Sequence, residues 1–181
     1  SAKGIRLAGV PGKSTRPITD QVKEALFNIL SDSIIDCIFL DLFGGTGAVG
    51  IEALSRGAEQ AVFLDTNYRA FKVIQQNLES TSLEEYAKVL KKDAFTFLKD
   101  KPSQKFDFIY IAPPQYQGYW LRAMDLLDNN PDWSDQEGVV IVQIHPKEDV
   151  DNYGYANFSE YLRRNYGDTE LIFFTRIHSN E

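Results

Sequence analysis

Short apolar runs alternate along this chain with segments in which apolar residues recur every three or four positions. That alternation predicts strands and helices in turn. Thr19 or Asp20 can cap a helix whose apolar face is Val22, Leu26, Ile29 and Leu30. Residues 31–36 read as a turn, and Ile38 to Leu42 as a strand. A helix from Ala48 to about Arg56 is stopped by Gly57. Ala61 to Asp65 is the next strand, and Asn67 caps a helix carrying Phe71, Ile74 and Leu78. Tyr86 to Leu90 is a strand, followed by Lys92-Asp93-Ala94 and a short helix through Leu98. Phe106 to Ile111 is a strand, Leu121 to Leu127 a helix, and Gly138 to Ile144 a strand. Tyr161 to Arg164 and Leu171 to Ile177 read as two strands joined by the turn signal Asn165-Tyr166-Gly167-Asp168. The expected fold class is α/β. It is a doubly wound, mostly parallel, Rossmann-like sheet with an antiparallel C-terminal hairpin at one edge.

The centre of the pattern is residues 39–50, where the apolar run ends in Asp41-Leu42-Phe43 and breaks at Gly44, Gly45 and Gly47. Buried parallel strands are continuous apolar runs, so a carboxylate at Asp41 is unlike ordinary core. The glycines permit positive φ and let backbone N–H groups approach a ligand. Asp65 ends the following strand, where a nucleotide fold binds a ribose diol. Together these predict a nucleoside-cofactor pocket. Gly45-x-Gly47-x-x-Gly50 formally matches a dinucleotide fingerprint. Asp41-x-Phe43-x-Gly45-x-Gly47 instead resembles the first motif of class I S-adenosylmethionine-dependent methyltransferases. An acidic strand end would repel a pyrophosphate, which favours the second reading.

Composition narrows the class. The 181 residues suit one domain, and 43% apolar with 13% aromatic residues is ordinary for a globular chain. No run approaches the roughly 20 apolar residues of a membrane span. The lone Cys37 rules out an internal disulfide and, with two distant histidines, argues against a structural zinc site. Cys37 reads as buried packing in a reducing compartment. A net charge of −7 opposes broad nucleic-acid binding. Residues 1–23 nevertheless hold Lys3, Arg6, Lys13, Arg16 and Lys23 against Asp20 alone. Residues 1–18 are therefore read as a basic arm, with a longer natural N-terminus expected, and Lys13, Arg16 and Lys23 as contacts to RNA, a solvated terminal segment being the alternative.

In open α/β sheets ligands lie beyond the carboxyl ends of the strands. Asp41, Asp65, Asp93 and Pro113-Pro114 all fall at such ends. Asp41 is assigned to the cofactor's methionine amino end and Asp65 to its ribose. Asp93 is assigned to the adenine amine, with the Ala94 N–H on a ring nitrogen. Phe43, Gly44, Gly45 and Gly47 complete the cofactor set. The Pro113-Pro114 pair fixes a loop and its carbonyl directions. His145 follows the fifth strand and is given a structural role.

Beyond the glycine motif, Arg16-Pro17 and Glu52-Ala53-Leu54-Ser55-Arg56-Gly57-Ala58 carry a more particular resemblance. Over nearly its whole length the chain resembles the RsmD-type small-subunit ribosomal RNA guanine-N2 methyltransferases. The resemblance implies S-adenosylmethionine as donor and a guanine of small-subunit rRNA, naked or in an assembling subunit, as acceptor. It also implies direct transfer with no metal, by a monomer, in a bacterial cytoplasm or a chloroplast stroma. One departure stands out. The family carries Asp or Asn, Pro, Pro, then Tyr or Phe after the fourth strand; here the stretch is Ala112-Pro113-Pro114-Gln115, with Tyr116 one place later. Ala112, Pro113, Pro114, Gln115 and Tyr116 are the expected catalytic segment, with the side-chain acceptor missing. Three alternatives stay open: a non-catalytic RNA-binding assembly factor, an enzyme acting on another exocyclic amine such as adenine N6, and a nicotinamide enzyme.

Overall fold

A computed structural model describes residues 4–10 and 17–178. The strands are β1 (Ile38–Asp41), β2 (Gln60–Leu64), β3 (Ala87–Leu90), β4 (Phe106–Ile111), β5 (Ser134–Ile144), β6 (Phe158–Tyr166) and β7 (Thr169–Arg176). The helices are α1 (Asp20–Leu30), α2 (Ala48–Ser55), α3 (Tyr68–Ser80), α4 (Ala94–Lys99) and α5 (Tyr119–Asn129). One sheet takes the order β3-β2-β1-β4-β5-β7-β6. β1 to β5 are parallel, and β7 runs antiparallel to both β5 and β6. The C-terminal hairpin does close one edge, but its antiparallel strand is one position in from it. Strand order reverses between β1 and β4, so the crevice beyond their carboxyl ends is the expected ligand position.

Because side chains alternate across a strand, each strand feeds two cores. Leu40, Val62, Ile109 and Val140 point toward α4 and α5. Phe39, Phe63, Phe108 and Ile141 point toward α1, α2 and α3. Both tryptophans are fully buried, and each finds a partner for its indole N–H, as a buried polar edge requires. Trp133 donates to the Leu98 carbonyl at 3.2 Å and Trp120 to the Glu148 carbonyl at 3.2 Å.

Local chemistry sets the element ends. The Thr19 hydroxyl accepts from Val22 N at 3.2 Å and starts α1. Asn67 Oδ1 accepts from Arg69 N and Ala70 N and starts α3. Some expected details are corrected. On α1 the buried set is Val22, Leu26, Phe27 and Leu30, while Ile29 is half-buried. Phe27 is drawn inward by α2, whose C-cap residue Arg56 lays its guanidinium 5.1 Å from the Phe27 ring centroid. On α3, Val73 is buried and Phe71 is not, because Phe71 stacks on Tyr68 at the surface. β5 begins four residues early: Ser134 pairs with Phe106 and Val139 with Phe108, so a bulge absorbs the polar residues between. No alternating pattern marks those residues, which is why the strand is not legible there.

Candidate active site

The glycine segment folds as a tight connection from β1 into α2. Gly47 N donates to the Gly44 carbonyl at 2.8 Å, and Gly45 and Gly47 take φ of +58° and +81°. Positive φ is accessible to glycine without strain, which is why these positions are glycine. Gly44 is closely packed instead: a Cβ there would lie 2.7 Å from Ile74 Cδ1 and 3.2 Å from the Leu64 carbonyl oxygen. Asp65 locks this loop to the next one. Its Oδ2 accepts from Gly45 N at 3.1 Å, and its Oδ1 accepts from Asn67 N at 2.9 Å. The carboxylate is 8% exposed and lines the cleft.

Asn77 on α3 binds the same loop from behind. Its Nδ2 donates to the Thr46 carbonyl at 2.8 Å, while its Oδ1 accepts from Ala8 N at 2.7 Å. The N-terminal segment is thereby tied to the glycine loop, and Val10, Pro17 and Ile18 form one wall of the cleft. Lys13 and Arg16 lie outside the described residues. Lys23 is half-buried on α1 and is not among the residues lining the cleft.

Three cavities adjoin at the sheet's carboxyl edge, and Ala112 borders all of them. The first holds Asp41, Phe43, Gly44, Gly45, Tyr110 and Gln143. The second, on the far side of Phe43, holds Asp65, Asn67, Asp93, Ala94, Phe95 and Tyr119. Phe43 packs edge-on against Phe95 at 5.9 Å, and Tyr119 does the same at 5.3 Å, giving this end an aromatic wall. The third opens between the Ala112 loop, α1 and the β6–β7 turn, with Pro113, Gln115, Gln143, Tyr166 and Asp168 on its walls. The first two form one elongated cleft, since they share Phe43, Gly45 and Ala112. Its carboxylates at Asp41, Asp65 and Asp93, with Lys92 as the one cation among the described lining residues, suit a cationic nucleoside rather than a pyrophosphate.

The predicted residues are thus largely brought together, with particular differences. Asp93 caps α4, its Oδ2 accepting from Thr96 N at 2.8 Å and Thr96 Oγ1 at 3.0 Å. Tyr116 does not line the third cavity: it is 60% exposed, with φ of +61°, and its ring lies 5.8 Å from the His145 ring. Glu148 holds this loop, accepting from Tyr116 N at 2.8 Å and from His145 N at 3.0 Å. His145 Nδ1 accepts from Lys147 N at 3.0 Å, so the histidine serves local structure.

Tyr110 and Gln143 were not anticipated. Tyr110 on β4 donates its hydroxyl to Gln143 Oε1 on β5, and Gln143 faces both the first and third cavities. Burial, and secondarily the Asp41 carboxylate, hold the Tyr110 phenol well above its ordinary pKa, so it remains a donor. The only sequence signal was a glutamine in an otherwise apolar strand. Among the described residues no group of three or more His, Cys, Asp or Glu side chains could hold a metal. No described helix is long and apolar enough to cross a membrane.

Comparison with known proteins bears on this arrangement. YlbH of Bacillus subtilis is 36% identical over 150 residues, covering 82% of this chain and 80% of its own length. Ribosomal RNA small subunit methyltransferase D of Escherichia coli K12 is 33% identical over 141 residues, covering 78% of this chain and 70% of its own. The solved structure of yhhF from Escherichia coli superposes with a TM-score of 0.82 at 29% identity, covering 94% of this chain and 90% of that one. The model of the family described as conserved hypothetical protein 95, which is the RsmD family, matches residues 1–175, and the chain belongs to that family.

Proposed function

We propose that this protein transfers a methyl group from S-adenosylmethionine to guanine N2 of small-subunit ribosomal RNA. The observation that carries the reading is the continuity of the cleft: an acid-lined channel meets a separate polar cavity at Ala112. Asp41, Phe43, Gly44 and Gly45 would hold the methionine end, with Gly47, which does not line the cleft, shaping the loop, Asp65 the ribose, and Asp93 with Ala94 the adenine. Phe95 and Tyr119 would supply apolar walls. S-adenosylmethionine supplies an electrophilic methyl on a sulfonium centre. The third cavity would take the extruded base.

A guanine amine is a poor nucleophile because its lone pair is delocalised into the ring. Oxygen acceptors on its N–H groups draw it toward a tetrahedral nitrogen and offset the developing positive charge. With Ala112 offering no side-chain acceptor, the Pro113 carbonyl and Gln143 Oε1 are the candidates. Tyr110 occupies one lone pair of that oxygen and fixes its direction, leaving the second for the base. Neither oxygen is basic enough to keep a proton, so the proton shed as the N–C bond forms and the donor's S–CH₃ bond breaks, leaving a neutral thioether, would pass to water. Lys13 and Arg16 would contact RNA, the whole chain acting as one monomeric domain. Its compartment would be one holding assembling ribosomes, the cytoplasm foremost.

Incubation with methyl-labelled S-adenosylmethionine and small ribosomal subunits lacking the modification, followed by nucleoside analysis, tests this. Labelled N2-methylguanosine is the expected product, and labelled N6-methyladenosine would move the acceptor to adenine. Ala112 favours a second reading, a non-catalytic RNA-binding assembly factor. Cofactor binding with no labelled nucleoside on subunits or on naked RNA would establish it.

A further inference from the structure

At the outer mouth of the nucleoside cleft, Tyr68 opens α3 immediately after Asn67, and its ring is 57% exposed. Lys72 Nζ, one turn along the same helix, lies 5.7 Å from the ring centroid. Lys91 Nζ, on the loop after β3, lies 5.8 Å from it. Two ammonium groups from separate elements thus lie over one exposed aromatic ring. Residues 66–72 and 87–92 contain Arg69, Lys72, Lys88, Lys91 and Lys92 and no Asp or Glu, although Lys92 pairs with Asp100 at 2.6 Å. On a chain of net charge −7 this is a local excess of positive charge. Exposed lysines gain little from an aromatic ring, and clustering them costs mutual repulsion that a polyanion would relieve.

We infer that Tyr68, Lys72 and Lys91 form a second RNA-contacting surface. An unpaired base would stack on Tyr68, and the flanking phosphates would lie against Lys72, Lys91 and Arg69. The chemistry is that of single-stranded nucleic-acid grooves, where aromatic faces accept bases of any sequence and lysines follow the backbone. Phe71 stacks on Tyr68, with ring centroids 6.4 Å apart. The inference rests on the RNA-modifying reading above, yet it concerns a surface outside the cleft.

The test is fluorescence anisotropy with a labelled single-stranded RNA of about 10 nucleotides, across a salt series, on the full chain. S-adenosylmethionine affinity of each variant serves as the check on folding. Tyr68→Ala should weaken RNA binding about 10-fold, with Tyr68→Phe restoring most of it. Lys72→Ala with Lys91→Ala should lower the slope of log affinity against log salt by roughly 1.4, or about 0.7 per cation. Unchanged affinity and slope in these variants, or no RNA binding by the wild type, would overturn the inference. So would equal loss in Tyr68→Phe and Tyr68→Ala. RNA binding that depends on Tyr68 without any methyl transfer would refute the proposed reaction while supporting this surface.

Discussion

Asp65 shows how much one side chain can carry. Each carboxylate oxygen accepts one backbone N–H, from Gly45 and from Asn67, so both loops facing the cleft hang on it. Asp65→Asn would turn an amide N–H₂ toward one of those donors and leave that N–H without its acceptor, at about 1–3 kcal/mol. The expected result is a lower melting temperature and at least a 10-fold loss of S-adenosylmethionine affinity by titration calorimetry; retained affinity would place the cofactor elsewhere. Ala112 and Gln143 make a paired case. If Gln143 stands in for the acceptor missing at Ala112, Gln143→Leu should cut kcat about 10²-fold with little change in cofactor affinity. Ala112→Asp should then raise methyl transfer in the wild type and rescue Gln143→Leu, measured as label incorporated into RNA. A rate unmoved by both substitutions would remove Gln143 from the reaction.

At the scale of elements, the close packing of α2 on β2 decides how accurately the glycine loop is presented. A Cβ at Gly50 would lie 2.3 Å from Phe63 Cε1, and Phe63 is fully buried among core neighbours. Gly50→Ala should therefore cost about 1–3 kcal/mol by overpacking, despite alanine's better helix propensity. Chemical denaturation would read this directly, and a neutral or stabilising result would mean that the helix can withdraw from the sheet. Gly50 is thus a packing glycine, although it completes a formal dinucleotide motif. Spacing alone does not distinguish a glycine that faces a ligand from one that faces a neighbouring ring. The Arg163 guanidinium plays a comparable part at the sheet edge. It joins Asp149, Glu160 at 2.5 Å and Glu170 at 2.9 Å, fixing the segment before β6 against the hairpin.

The whole molecule responds to pH through groups buried in their neutral form. Burial, and secondarily the Asp107 carboxylate, push the Cys37 thiol up to about 12. Tyr110, Tyr153 and Tyr155 are raised for the same leading reason. For an acid with a raised folded pKa, the native state holds the proton more tightly than the unfolded chain. Stability from these groups is therefore fully present below their ordinary values and is lost as pH climbs above them. Melting temperature should be flat near neutrality and fall from about pH 9 upward. Cys37→Ala should shallow the first part of that fall. A flat profile to pH 11 would mean that these groups ionise without unfolding the chain.

Much of this protein was legible from local pattern. Period-2 and period-3.6 apolar spacing places the strands and helices, because burial of one face is what selects them. The glycine break after Asp41 and the acidic strand end at Asp65 mark the cleft, because few residue types satisfy those backbone and charge demands. What local pattern could not supply was adjacency. Tyr110 and Gln143 lie on strands 33 positions apart and meet because β4 pairs with β5. Tyr68 and Lys91 likewise meet across α3 and the loop after β3. The sequence by itself determined the fold class, the cofactor motif and the vacancy at Ala112. Only the tertiary structure decided that Gln143 faces the cavities bordered by Ala112 and that Lys91 reaches the Tyr68 ring, because those placements bring together residues far apart in the chain.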